Sequence, residues 1–289
     1  MKYYALYNPK AGHGDSAEKI KPLTDWCQGE LIPMDITSIP SYTDFFATLA
    51  AEDAVIVCGG DGTLNRFVND TEGLSIPNDV LYYATGTGND FLNDLGMTVG
   101  AEPFSVKELL ADLPTVEVNG KCYRFLNNVG FGIDGYCCEV GDQMKKNSDK
   151  PVNYTSIAIK GLLFHFKPVN ATVMVDGKEY QYKKVWIAPT MKGRYYGGGM
   201  MPTPKQDRGG PDGTLSVMLF HGSSKLKTLM VFPSLFKGEH VKHEKIIAIH
   251  EGKDVTVTFD RPTALQIDGE TVLGVTSYHA VAKVAAKIV

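Results

Sequence analysis

Two glycine-rich loops, each with an aspartate, are the stretches of this sequence best suited to chemistry. GGDGTLN occupies residues 59–65, directly after the apolar run 54–58 and before a segment, 64–68, that can be helical. TGTGNDF occupies residues 85–91, directly after the run 80–84. Glycines allow positive backbone torsions and close approach of the main chain, so that peptide N–H groups and a helix N-terminus can face phosphate oxygens. The two loops therefore predict a phosphate site, where an aspartate would act best through a metal ion or a bound water.

The elements that must hold these loops alternate along the first 114 residues. Apolar runs predict strands at 3–7, 31–38, 54–58 and 80–84, and the segments 15–26 and 42–51 are compatible with helices. Such alternation predicts a parallel sheet with helices on both faces, a doubly wound α/β domain. Ligands of such sheets bind at the carboxyl ends of the strands, where these glycine loops fall.

The pattern changes after residue 114 to short alternating runs separated by turn residues. Asp176-Gly177 lies between the runs 171–175 and 180–188 and is a strong hairpin signal, and later runs lie at 214–220, 246–250, 254–260 and 264–267. We therefore predict an antiparallel β-sandwich domain over residues 115–276, following an α/β domain over residues 1–114. The segment 277–289 is not assigned to either domain.

Composition excludes several classes of protein. The 289 residues carry a net charge of -4 with a pI near 6.0, which argues against nucleic acid as a main partner. The five cysteines form no CxxC pair, so neither a disulfide framework nor a zinc site is indicated, and a reduced, cytoplasmic setting is expected. No apolar run is long enough to span a bilayer, so membrane contact would be peripheral. The oligomeric state stays open, a homodimer included.

The motifs NPKAG at residues 8–12, GGDGTLN and GTGNDF, in this order and spacing, resemble the diacylglycerol kinase catalytic family of bacterial lipid kinases. The resemblance covers almost the whole chain and implies ATP and Mg²⁺, with Asp61 and Asp90 touching the magnesium through water. It implies that the nucleotide is bound by Asn8, Pro9, Lys10, Ala11, Gly12, Gly59, Gly60, Asp61, Gly62, Thr63, Asn65, Thr85, Gly86, Thr87, Gly88 and Asn89.

Further motifs in the second half match the same family. NNVGFGID at residues 127–134 resembles the family stretch at the interdomain cleft, which places Asp134 near the acceptor hydroxyl. The PDGTL turn resembles a structural metal site, with Asp212 as side-chain ligand and the carbonyls of Gly209 and Thr214 beside it. One carboxylate with carbonyls suits magnesium or calcium.

The DGE motif at residues 268–270 supplies the candidate catalytic base, which the resemblance places in the cleft. If the backbone is extended there, Asp268 and Glu270 point to the same side. Either could then accept the proton of the acceptor hydroxyl. We favour Glu270 for its longer reach, keep Asp268 second, and turn to Asp134 if neither acts.

The segment 143–169 combines an apolar helix with five lysines. An apolar helix with flanking lysines suits a lipid surface, and it equally suits a core helix with solvated ends. We expect peripheral membrane association through the lysines Lys145, Lys146, Lys150, Lys160 and Lys167.

These features together predict an ATP-dependent lipid kinase that phosphorylates a lipid hydroxyl, with diacylglycerol the favoured acceptor and phosphatidic acid the product. Two alternatives are a kinase for a soluble substrate, as in NAD kinase, and a nucleotide-binding regulatory protein without turnover. The sequence does not specify which lipid is the acceptor.

Overall fold

The computed structural model describes residues 1–9, 11, 15–86, 88–147, 152–210 and 213–283. It divides the chain into two compact units, Met1–Leu113 and Pro114–Val289. Five positions that the sequence singled out lie outside the described residues: Lys10, Gly12, Thr87, Lys150 and Asp212.

The first unit is built on a five-stranded sheet in the order β2-β1-β3-β4-β5. Its strands are β1 (Lys2–Tyr7), β2 (Glu30–Asp35), β3 (Ala54–Gly59), β4 (Asp79–Ala84) and β5 (Phe104–Ser105). The first four are mutually parallel, and β5 runs antiparallel to β4 at the edge. The predicted parallel sheet is confirmed, and the edge strand is an addition that the sequence did not reveal.

Among the described residues, six helices accompany this sheet: α1 (Ser16–Lys19), α2 (Leu23–Trp26), α3 (Tyr42–Ala47), α4 (Asp61–Asp70), α5 (Asp90–Asp94) and α6 (Lys107–Ala111). The helix expected over 15–26 is split into α1 and α2 because Pro22, which cannot donate a backbone hydrogen bond, lies between them. The strand expected over 31–38 ends at Asp35, whose carboxylate accepts the Thr37 N–H and begins a 3₁₀ turn.

The second unit contains a ten-stranded sheet whose path is β13-β12-β11-β8-β14-β15-β6-β7, with β9 pairing to β14 and β10 to β9. Every described pair in it is antiparallel, which confirms the predicted antiparallel domain. Its strands are β6 (Thr115–Val118), β7 (Lys121–Arg124), β8 (Asn128–Gly132), β9 (Val169–Val175), β10 (Lys178–Val185), β11 (Ile187–Met191), β12 (Leu215–Phe220), β13 (Ile247–Gly252), β14 (Asp254–Ile267) and β15 (Glu270–Val281).

Helices α7 (Ile133–Asn147), α8 (Tyr154–Lys160) and α9 (Lys225–Val231) belong to this unit, with a π-helical turn at Gly161–His165 and 3₁₀ turns at Phe232–Lys237 and Glu239–Lys242. Strands from separate parts of the sheet share one core, in which Val116, Phe131 and Val217 are fully buried. No helix among the described residues is long and apolar enough to cross a membrane.

Two turns show how local sequence sets the strand pairing. Asp176 and Gly177 both adopt positive φ, 47° and 78°, as the predicted two-residue hairpin requires. The runs at 254–260 and 264–267 prove to be one strand, β14, whose register against β15 shifts between Thr258 and Leu265. Part of the unassigned C-terminal segment belongs to β15, which ends at Val281 and pairs with β6.

Candidate active site

The loops after β3 and β4 touch each other through their glycines. A Cβ built on Gly86 would lie 2.4 Å from the Gly60 Cα, and one on Gly60 would lie 3.0 Å from the Gly88 carbonyl oxygen. The Thr85 N–H donates to the Gly59 carbonyl at 3.0 Å. Within the second loop, the Asn89 side-chain amide donates to the Gly86 carbonyl at 2.7 Å. Glycine is therefore required here by the contact between the two loops.

Asp61 joins these two loops through its side chain. It begins α4, and its carboxylate accepts the N–H of Asp90 at 2.7 Å and that of Phe91 at 3.3 Å, which satisfies donors at the start of α5. Backbone donors thus occupy part of each Asp61 oxygen. Asp61 therefore holds the two loops together at the start of α5.

The described residues of the predicted nucleotide site follow three neighbouring parallel strands, β1, β3 and β4. They therefore lie at the carboxyl end of these strands. Asn8 and Ala11 are joined by a turn hydrogen bond, in which the Ala11 N–H donates to the Asn8 carbonyl at 3.0 Å. A Cβ on Gly62 or on Gly88 would meet no described atom within 4 Å. Within the described part of the chain, both glycines leave room for a ligand to approach the backbone.

In the second unit, Asp268 and Gly269 form the turn between β14 and β15. Their φ angles are 46° and 93°, and Ile267 pairs with Glu270 across the turn. The extended backbone on which Asp268 and Glu270 would point to the same side is therefore not present. Asp268 turns its carboxylate back onto the chain instead, where it accepts three backbone N–H groups, from Leu126 (2.5 Å), Asn127 (2.8 Å) and Asn128 (2.9 Å).

Asp268 is therefore engaged in holding the turn. Burial raises the pKa of Asp268, while the three N–H donors and the positive charge of Arg208 oppose that rise. The buried Arg208 guanidinium donates to the Leu126 carbonyl at 2.5 Å and to Asn127 Oδ1 at 2.6 Å. Nothing in the sequence marks Arg208, which lies in a glycine- and proline-rich loop.

Glu270, by contrast, is exposed, and across the part of the chain that the structure describes no hydrogen bond or ion pair holds its carboxylate. The backbone next to it is supported, since the preceding residue, Gly269, donates its N–H to Gln266 Oε1 at 2.7 Å. Burial raises the pKa of Cys138, a residue of helix α7, to about 12, and nearby carboxylates that include Glu270 add to this rise. Glu270 therefore lies near helix α7.

Asp134 is the second residue of α7 and is only 7% exposed. Its Oδ1 accepts the Gly135 N–H at 3.0 Å, and a Cβ on Gly130 would fall 1.8 Å from its Oδ2. Burial raises the pKa of Asp134 to about 7, and the hydrogen bond from the Gly135 N–H offsets this in part. A carboxyl with such a pKa can exchange a proton near neutral pH, which suits a group beside an acceptor hydroxyl.

The predicted structural metal site is described only in part. The Thr214 carbonyl accepts a hydrogen bond from the Gln206 amide at 2.9 Å, and the Gly209 N–H donates to Asp207 Oδ1 at 3.0 Å. In the described ranges no three His, Cys, Asp or Glu side chains come together as a metal site. The metal role of this loop stays a prediction.

Comparisons with known proteins cover both units. Residues 2–118 match a family model described as the diacylglycerol kinase catalytic domain, and residues 127–288 match one described as the YegS C-terminal NAD kinase beta sandwich-like domain. A Mycobacterium tuberculosis protein named diacylglycerol kinase is 27% identical over 208 residues, which span 69% of this chain and 65% of the relative. The match thus spans less than two thirds of that relative's length.

YtlR of Bacillus subtilis is 22% identical over 320 residues, which cover 96% of this chain and 95% of YtlR. A crystal structure of a diacylglycerol kinase from Bacillus anthracis superimposes with a TM-score of 0.65 at 20% identity, over 97% of this chain and 94% of that one. This similarity shows that the fold is shared.

Proposed function

Since this chain belongs to the diacylglycerol kinase catalytic-domain family and carries a YegS-type C-terminal domain, we propose that it is an ATP-dependent lipid kinase. It transfers the γ-phosphoryl group of ATP to a lipid hydroxyl, with diacylglycerol the favoured acceptor. The observation that carries the proposal is the contact between two glycine loops at the carboxyl ends of β3 and β4, which the Asp61 carboxylate joins.

The residues divide the chemistry between them. Peptide N–H groups of the loops and the N-terminus of α4 bind and orient the phosphates, and such positioning accounts for most of phosphoryl-transfer catalysis. Asp61 and Asp90 are the residues that would hold a hydrated magnesium ion, which would neutralise phosphate charge. Glu270 accepts the proton of the lipid hydroxyl, because its carboxylate is exposed while the Asp268 oxygens are occupied by backbone donors.

We expect the purified protein to transfer label from γ-labelled ATP to a lipid when both are supplied with magnesium in mixed micelles. The panel contains diacylglycerol, phosphatidylglycerol, a sphingoid base and undecaprenol, with NAD as the soluble control. Labelled NAD without labelled lipid would identify a soluble-substrate kinase. Nucleotide binding by calorimetry without any labelled product would identify a regulatory protein.

Contact with an anionic membrane is the second part of the proposal. The most exposed apolar side chains near the predicted lysine-flanked helix are Phe164 (72%), Leu226 (67%) and Met230 (64%). The π-turn that holds Phe164 is joined to α9, since Lys225 Nζ donates to the Leu163 carbonyl at 3.1 Å. Residues 152–168 and 222–238 contain no Asp or Glu. This apolar and basic surface suits an anionic bilayer.

The structure changes which lysines are the best candidates for that contact. Lys145 pairs with Asp142 at 3.8 Å and lies over the Tyr154 ring, so part of its charge is neutralised within the protein. We expect a Lys160→Glu, Lys225→Glu, Lys227→Glu variant to lose most binding to vesicles of phosphatidylglycerol and phosphatidylcholine at low salt, because each lysine contributes about 1 kcal/mol near an anionic surface.

Co-sedimentation of this triple variant is compared with that of a Lys145→Glu, Lys146→Glu variant and with that of Phe164→Ser. Met174→Ser, on β9, is the control for loss of an exposed apolar side chain. A stronger loss in the Lys145→Glu, Lys146→Glu variant would move the contact to the end of α7. Equal binding by all variants would place it elsewhere on the molecule.

A further inference from the structure

The turn that carries Glu270 is tied to helix α7 by a side-chain contact that the sequence did not reveal. Thr271 Oγ1 donates to Asp142 Oδ2 at 2.7 Å in a partly buried position. The other Asp142 oxygen faces Lys145. We propose that Asp142 and Thr271 are positioning residues for Glu270, an inference that rests on the proposed role of Glu270 as the base.

The other residues of the turn are also anchored. Asp268 is held by backbone donors at residues 126–128, and the Gly269 N–H is held by Gln266 Oε1 at 2.7 Å. Thr271, which directly follows Glu270, is held by its hydrogen bond to Asp142. The backbone of Glu270 is therefore fixed from both directions, while its carboxylate stays exposed. A fixed backbone with an unengaged carboxylate is the arrangement that a general base needs.

Helix α7 links this anchor to the other acidic group of the site. Asp134 and Asp142 lie on the same helix, eight residues apart, which is about 12 Å along its axis. The helix backbone rests directly on β14, since a Cβ on Gly135 would lie 2.1 Å from the Ala264 carbonyl oxygen. Because of this contact, α7 cannot slide along the sheet without breaking packing. It therefore sets the distance between Asp134 and the Glu270 turn.

The test removes the Thr271 hydroxyl and then restores it. Thr271→Val keeps the branched shape but cannot donate to Asp142, whereas Thr271→Ser retains a hydroxyl. Thr258→Val is the matched control, because Thr258 lies on the same hairpin and its hydroxyl bonds the Ser277 hydroxyl at 2.8 Å, away from the turn. Turnover with lipid and the Michaelis constant for ATP are measured for each variant.

We expect Thr271→Val to lower kcat by about tenfold or more, since small displacements of a catalytic group can cost up to about 100-fold, with little change in KM for ATP. Thr271→Ser should recover most of the activity, and Thr258→Val should match wild type. Wild-type kcat in Thr271→Val, or an equal loss in Thr258→Val, would overturn the positioning role.

Amide hydrogen exchange of residues 268–271 gives a readout that does not need activity. Exchange should be faster in Thr271→Val than in wild type and unchanged in Thr258→Val. If wild type labels no lipid, the proposed function fails and exchange alone decides the positioning role. Unchanged protection of the turn in Thr271→Val would then overturn it.

Discussion

Glu270→Gln is expected to lower turnover by about 10²- to 10⁴-fold, the range typical for loss of a general base, with little change in KM for ATP. Glutamine keeps the size and hydrogen bonding of the side chain but cannot accept the proton. Folding stability should not change, because Glu270 is exposed and, among the described residues, no side-chain partner holds it. The measurement is steady-state kinetics on the best lipid, with urea unfolding beside it.

Asp268→Asn should behave differently, and the contrast separates the two carboxylates. The Asp268 carboxylate accepts three backbone N–H groups, and an amide in its place would present an N–H₂ group to some of those donors. Hydrogen bonds to a charged group contribute about 1.5 to 3 kcal/mol each, so we expect a loss of unfolding free energy on the order of 2 kcal/mol or more. Any fall in the activity of Asp268→Asn should accompany this loss of folding stability.

Glu251→Gln, an exposed glutamate on β13, is the control for removal of one negative charge. Retention of more than about a tenth of wild-type turnover by both Glu270→Gln and Asp268→Asn would place the base elsewhere. Asp134 would then be the candidate, and its raised pKa of about 7 already suits proton exchange near neutral pH. Asp134→Asn would be the next variant to test.

Gly86→Ala is expected to abolish measurable ATP binding. The added Cβ would lie 2.4 Å from the Gly60 Cα and 2.7 Å from the Gly60 nitrogen, so the two loops must separate. Both atoms belong to the backbone, which cannot move aside as a flexible side chain could. Separation would also break the contact between Asp61 and α5. Isothermal calorimetry with ATP and magnesium measures the effect, with unfolding curves recorded in parallel.

Gly62→Ala isolates the ligand-facing role of the loop. Its Cβ meets no described atom within 4 Å, and alanine favours a helix over glycine by about 1 kcal/mol, so α4 should be as stable as before or more so. If phosphates approach this backbone, the methyl group costs about 1 to 3 kcal/mol, and ATP affinity should fall about 5- to 150-fold. Unchanged affinity in Gly62→Ala would show that the phosphates do not approach Gly62.

Gly73→Ala is the matched control for destabilisation alone. Gly73 has a φ of 75°, which an alanine adopts at a cost, yet a Cβ there contacts nothing within 4 Å. This variant should lose stability and keep its ATP affinity. If its affinity fell as far as that of Gly86→Ala, the effect of Gly86→Ala would reflect a weakened fold and not the contact between loops.

Local signals in the sequence were enough to predict both sheets. Each glycine loop directly follows an apolar run; β4 ends at Ala84 as its run indicated, and β3 ends at Gly59, one residue beyond its run. Asp176-Gly177 predicts its hairpin because both residues tolerate positive φ. These features depend on neighbours in the chain, so they can be read without the fold. The edge strand β5, only two residues long, carries no such signal.

A second Asp-Gly pair, Asp268-Gly269, also forms a two-residue turn with positive φ, but its side-chain contacts could not be predicted from the sequence. The DGE motif marked the place, but only the tertiary structure separated its two carboxylates. Asp268 is held by backbone donors at residues 126–128, and Glu270 is exposed. The difference depends on β8 pairing with the end of β14, a contact between segments distant in sequence.

The sequence by itself therefore determined the alternation of strands and helices around the glycine loops, the change to antiparallel strands after residue 114 and the residue types at the site, because periodicity and turn chemistry are local. Tertiary structure alone decided the side-chain partners: Asp61 with the start of α5, Arg208 with Asn127, and Thr271 with Asp142. It also decided the raised pKa of Asp134, which comes from burial of this α7 side chain against Gly130 of β8. Burial and long-range contacts depend on which surfaces pack together, and no spacing along the chain encodes that directly.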